Sequence, residues 1–167
     1  MTTDIRKNTF ESPLDFMKHF FRLFKGPTFF STFYKTDRKF AEQIFLTVAM
    51  KNDCRGWVSF HSALGKRHGL SDNDLKNLST IAEDDFDHRL WVALKYAYEW
   101  TVLRGNEPEG DFMEAFGTLY TRKERRRINK LMRIMLFSNY IMNFIHGKSW
   151  KRPPQGSSLE VGRAEKE

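Results

Sequence analysis

The sequence predicts an all-α fold, a single domain of six to eight helices, and three observations carry that reading. Apolar residues recur at three- and four-residue spacing in nearly every segment, helix-start residues and helix-stop glycines separate the segments, and no stretch alternates apolar and polar residues as a half-buried strand would. The 167 residues, 40% hydrophobic and 15% aromatic, are enough for one packed core.

Residues 1–11 read as a flexible N-terminal arm. Ser12-Pro13 supplies a helix cap followed by proline at the first helical position, so a helix runs to Gly26. Phe16, Met17, Phe20, Phe21 and Phe24 form its apolar stripe, with Lys18, His19, Arg22 and Lys25 opposite, and Pro27 opens a short segment bearing Phe29, Phe30 and Phe33. Aromatic stripes at this spacing point to core or subunit contact in preference to a membrane surface. Asp37 caps a helix ending at Asn52-Asp53; that helix is apolar almost all round, with a polar strip of Gln43, Thr47 and Lys51. Asn52-Asp53 then caps the next helix, which places Cys54 in its first turn, and Gly69 ends it. Trp57, Val58, Phe60, Leu64 and Gly65 cluster on the inward side, and Arg55, Ser59, Lys66 and Arg67 on the outward side.

Ser71 caps a helix to about Ile81, and Asp87 opens a long one to Arg104 whose inward side carries Leu90, Trp91, Leu94, Ala97, Tyr98, Thr101 and Val102. Asn106 to Gly110 is a turn, Asp111 caps a short helix to about Tyr120, and Thr121 with Glu124 forms a capping box. The last helix reaches His146; from Leu131 to Ile145 it is apolar nearly all round, as expected at the centre of a domain or between subunits. The domain thus spans 12–147, and 148–167 reads as a disordered basic tail.

Several function classes are excluded at this level. A single cysteine permits no intrachain disulfide, and the absence of a disulfide framework makes a reducing cytoplasm the expected compartment. No apolar run approaches the roughly 18–20 residues of a membrane span. The net charge of +7 is concentrated: Arg122–Arg133 holds seven basic residues and one acidic, and the tail most of the rest. With no nucleic-acid-binding signature beside it, this stretch reads as a solvated helix face, and nucleic acid is not an expected partner. His61 and His68 stand about two turns apart, too far to share one ion, so neither metal nor cofactor is expected.

One constellation carries chemistry. Cys54 and His61 are seven residues apart, about 20° short of two full turns, and so share the inward face of one helix. Glu42 lies off the polar strip of its own helix, between Leu46 and Ala49, where a carboxylate must find a partner or stay protonated. Singly, these residues are most simply a core thiol, a satisfied core histidine and a salt-bridged glutamate. Together they form a candidate site of Cys54, His61 and Glu42. The helix N-terminus favours a thiolate at Cys54, while burial and the Asp53 carboxylate oppose it.

Glu42, Cys54 twelve residues on, His61, and the Gly69-Leu70-Ser71 turn leading to Asp74 and Leu75 resemble the alkylhydroperoxidase D-like branch of the carboxymuconolactone decarboxylase superfamily. Trp57 stands where that branch carries its second cysteine. The resemblance implies an all-helical fold with a two-helix unit from Phe40 to Leu78 presenting the site, and self-assembly as a homo-oligomer, a trimer or hexamer. It implies an antioxidant, peroxidase-type oxidoreductase in which Cys54 attacks a small-molecule hydroperoxide, Glu42 and His61 relay protons, and an external thiol is the reductant. With one cysteine, a dithiol cycle is excluded. Two alternatives accompany it: a decarboxylase-type enzyme on a small lactone or carboxylic acid, with Arg55 binding the carboxylate, and a catalytically inactive oligomeric interaction protein in which Trp57 fills the former pocket.

Overall fold

A computed structural model of the chain describes residues 9–110 and 112–145. Among them are eight α-helices and one short 3-10 turn (Glu83–Asp85), with no strand, as the apolar spacing predicts. The helices are α1 Pro13–Arg22, α2 Phe29–Tyr34, α3 Arg38–Lys51, α4 Arg55–Arg67, α5 Asp72–Thr80, α6 His88–Val102, α7 Phe112–Leu119 and α8 Arg122–Ile145. None is long and apolar enough to cross a membrane among the described residues.

The starts follow from local chemistry. Ser12, Asp37 and Asp87 each accept from the backbone N–H three residues on, at 3.1, 2.8 and 3.0 Å. Ser71 with Asp74, and Thr121 with Glu124, close reciprocal capping boxes. Each such cap stabilises its helix by about 1 kcal/mol. The expected cap at Asp111 lies outside the described residues, as do His146 and the tail.

α1 ends four residues before Gly26. The amides of Leu23, Phe24 and Lys25 bond three residues back instead of four, which tightens the last turn, and Gly26 then reverses the chain at φ +91°. The carbonyls this turn leaves over are taken by α8: the Lys130 ammonium donates to Leu23 O, and Arg133 Nη1 to Lys25 O at 3.3 Å. Part of the basic stretch is therefore structural. Arg122, Lys123 and Arg126 are solvated as expected, but Lys130 is buried.

The central element is α3, buried at every position from Ala41 to Ala49. Its expected polar strip does not face water: Gln43 and Thr47 are both buried, the Thr47 hydroxyl donating to Gln43 O at 2.9 Å. α4, α6 and α8 all pack against this helix, which leaves it no solvent side. Ile44, Leu46 and Val48 meet a core built from Val92, Leu94 and Ala97 of α6 and Leu131, Met132 and Leu136 of α8. α6 is rotated from the expected orientation. Val92, Ala93, Tyr96 and Trp100 join Leu94, Ala97 and Thr101 inside, while Val102 is exposed and Tyr98 is half-buried, its hydroxyl accepting from Lys51 Nζ at 2.9 Å. The rotation lets Tyr96 stack on Phe116 of α7 with centroids 4.1 Å apart.

The phenylalanine-rich N-terminal region divides in two. Phe10, Phe16 and Phe20 pack on Phe137 of α8, with centroids 5.6, 5.6 and 6.1 Å away, whereas Met17, Phe21 and Phe24 are exposed. α8 divides likewise: Leu131, Met132, Met135, Leu136 and Tyr140 are buried, but Ile141, Phe144 and Ile145 face outward.

Candidate functional site

The α3–α4 turn places the cysteine. Asn52, Asp53 and Cys54 donate backbone bonds to Val48, Met50 and Ala49 at 3.0–3.1 Å, and Asp53 takes φ +48°, a left-handed conformation aspartate tolerates better than most residues. Asp53 therefore makes the turn and does not cap α4. Cys54 is itself the N-cap residue, one position before the first turn expected for it, and its carbonyl accepts the first helical bond from Val58 at 2.9 Å. It is 2% exposed.

Further along, Gly65 is buried against Leu70 and Glu42. A Cβ there would stand 2.5 Å from Leu70 Cδ1, so that the Leu70 side chain would have to shift, and 3.6 Å from Glu42 Cβ, an ordinary contact. One helical turn earlier, His61 is brought onto Glu42. His61 Nδ1 and Glu42 Oε2 are 2.6 Å apart, with side chains only 9% and 5% exposed. With Glu42 as a carboxylate, which can only accept, Nδ1 is the donor of this bond and Nε2 the nitrogen left over. Rings of Phe45, Phe60 and Trp57 surround the imidazole at 4.9, 5.1 and 5.6 Å. Such apolar walls strengthen the bond by excluding water.

The structure thus brings Glu42 and His61 together directly. Cys54 shares their helix pair but stands at its far end, its Cα roughly 10 Å from that of His61 by helical rise. Trp57 lies between them in sequence, half-buried, and its indole N–H donates to Ser138 O of α8 at 3.2 Å. The inward face expected for α4 holds for His61 and Gly65. Phe60 departs from it, remaining largely exposed while its ring edge contacts His61. The Arg55 side chain is 90% exposed and reaches toward Asp53 at 3.9 Å, so it offers no cation to the buried pair. Among the described residues no group of three His, Cys, Asp or Glu side chains could hold a metal ion.

Two features escaped sequence reasoning. Asn139 of α8 is buried, with Nδ2 donating to Val48 O at 3.4 Å just before the Cys54 turn, and its Oδ1 has no hydrogen-bond partner among the described residues. Its only signal was a pair of asparagines, Asn139 and Asn143, in the stretch Ile134 to Ile145, which is otherwise apolar but for Ser138 and the Tyr140 hydroxyl. The second is a polar cluster joining α1 to α6 and α8. Asp15 meets His19 Nε2 at 3.4 Å and Arg104 Nη2 at 3.2 Å, and the Arg104 guanidinium lies 5.2 Å from the Tyr140 ring centre. Burial there holds the His19 imidazole down to about 4, against the pull of the Asp15 carboxylate.

Compared with protein-family models, with curated proteins and with solved structures, the chain finds no match.

Proposed function

We propose that the protein is a one-cysteine, thiol-dependent hydroperoxide reductase. The observation that carries this reading is the buried pair of Glu42 on α3 and His61 on α4, 2.6 Å apart, with Cys54 as the N-cap residue of α4. The likeness of this stretch to the alkylhydroperoxidase D-like pattern adds to it. A buried carboxylate holding one imidazole nitrogen fixes the tautomer and stabilises the imidazolium, which is what a proton relay requires. The Cys54 thiolate attacks the terminal oxygen of a hydroperoxide, the O–O bond breaks, and the alkoxide takes a proton relayed through His61 to leave as the alcohol. Cys54 is then a sulfenic acid. One external thiol converts it to a mixed disulfide with loss of water, and a second releases the Cys54 thiol and an external disulfide. The low exposure of Cys54 requires the α3–α4 turn to open for substrate. Homo-oligomerisation belongs to the same reading, with the exposed Ile141 and Ile145 of α8 as its apolar contact.

The burial of Cys54 also favours a second reading, an inactive oligomeric interaction protein, and one experiment separates them. Sulfenic acid is trapped at Cys54 after addition of an organic hydroperoxide and its rate is compared with that of a cysteine in a short unstructured peptide. An active site reacts at least about tenfold faster and loses that advantage in His61→Gln. A rate no higher than that of the peptide removes the enzyme reading.

A further inference from the structure

The outer face of α1 is not used by the core. Leu14, Met17 and Phe21 fall within about 60° of one another around the helix, and Phe24 continues the line through the following turn. Their exposures are 82%, 40%, 57% and 71%, whereas Phe16 and His19, on the other side of α1, pack on Phe10. Phe20 supports the outer row from beneath, its ring 5.8 Å from Phe21 and 5.3 Å from Phe24. Leu, Met and Phe side chains held this far into water mark a contact surface.

Charge identifies the partner. By helical position the exposed Lys18 flanks the apolar row and the exposed Lys25 lies beside Phe24, while Arg22, on the same flank, is half-buried and donates to Gly105 O at 3.4 Å. Residues 12–39 hold six basic and two acidic side chains, Lys39 among the bases being paired with Asp74 at 3.3 Å, and Lys130 and Arg133 of α8 are fastened to the carbonyls of the turn that follows α1. Of the two acids, Asp15 is occupied by Arg104 and His19, and Asp37 by the cap of α3. The same face of a second copy would bring like charge against like charge. An anionic bilayer instead accepts Leu and Phe into its headgroup boundary and places phosphates against the lysines, the arrangement of an interfacial helix. We propose that α1 docks the protein flat on an anionic membrane surface, with Leu14, Phe21 and Phe24 inserted and Lys18 and Lys25 on the headgroups. This places the chain on the membrane without any segment crossing it, and it is independent of the chemistry at Cys54.

The test is co-sedimentation of the full chain with phosphatidylcholine vesicles, with and without about 30 mol% phosphatidylserine, at roughly 0.1 M salt. Binding to the anionic vesicles, weak binding to the neutral ones and release near 0.5 M salt are expected. Phe21→Glu with Phe24→Glu lowers the partition coefficient at least about tenfold, and Lys18→Glu with Lys25→Glu about fivefold per lysine on anionic vesicles only. All four side chains are exposed, so helicity by circular dichroism should be unchanged. The proposal is overturned if the chain stays in the supernatant with both vesicle types, or if binding ignores the phenylalanine substitutions. It is equally overturned if those substitutions turn a vesicle-indifferent oligomer into a monomer, since the face would then belong to a second copy.

Discussion

Replacing Glu42 by alanine isolates the interaction on which the candidate site rests. The variant leaves the His61 imidazole buried among Phe45, Phe60 and Trp57 with its carboxylate partner gone. Leaving a buried polar group without its partner costs about 1–3 kcal/mol, and the void left by the side chain brings the expected loss to about 3 kcal/mol. Glu42→Gln keeps the shape and an acceptor oxygen, so about 2 kcal/mol is expected, close to the strength of a hydrogen bond to a charged group. Against a domain stability of roughly 5–15 kcal/mol either loss is large. The double variant Glu42→Leu, His61→Leu is the informative one. Two apolar residues of similar volume remove both polar groups from a site already walled by aromatic rings, and such exchanges are often neutral in stability. A double-mutant cycle in urea, followed by tryptophan fluorescence with Trp57 as the near reporter, should give a coupling of about 2–4 kcal/mol. The reasoning fails if Glu42→Ala costs less than about 1 kcal/mol, or if the double variant loses the sum of the single losses. A stable double variant that no longer forms sulfenic acid faster than a free peptide would separate the pair's chemical role from its structural one.

Gly65→Ala should destabilise by about 1–2 kcal/mol although alanine is the better helix former, because its Cβ would stand 2.5 Å from Leu70 Cδ1; Leu70→Val in the same chain should recover part of the loss in a urea titration. His19 predicts an acid limb in stability. Its folded value of about 4 lies below the ordinary 6.5, so the unfolded chain takes the proton first; stability is full above about pH 6.5 and falls toward pH 4, by at most about 3 kcal/mol. His19→Gln should flatten that limb in melts across the range, and an unchanged slope would place the acid sensitivity elsewhere. Trp57→Cys removes a half-buried ring and its bond to Ser138 O, so a loss approaching 3 kcal/mol is expected. If the variant keeps its helicity, it sets two thiols three residues apart at the start of α4. Thiol counting after mild oxidation should find both protected, with added hydroperoxide turnover; two thiols that stay free in a folded variant contradict the proposed active-site layout.

The sequence by itself determined where most helices begin, because a cap is settled within four residues: Ser12, Asp37, Ser71, Asp87 and Thr121 each bond to the turn they precede. It determined equally that Glu42 is buried, since that residue sits off the polar strip of its own helix. It did not reveal that Gln43 and Thr47 are buried too, because an apolar neighbour on a third side of α3 leaves no trace within α3. The left-handed turn at Asp53, which makes Cys54 the N-cap residue, depends on how α4 folds back against α3, and local propensity allowed aspartate to cap just as readily. Only the tertiary structure decided which inward-facing group meets Glu42. Trp57, His61 and Leu64 share one helix face, and it is the packing of α4 on α3 that sets His61 against the carboxylate while the Trp57 indole turns to Ser138 O of α8. Helical register follows from bonds a turn apart. The pairing of a carboxylate with an imidazole 19 residues away follows from the packing of two helices, and that distance is what the linear pattern cannot carry.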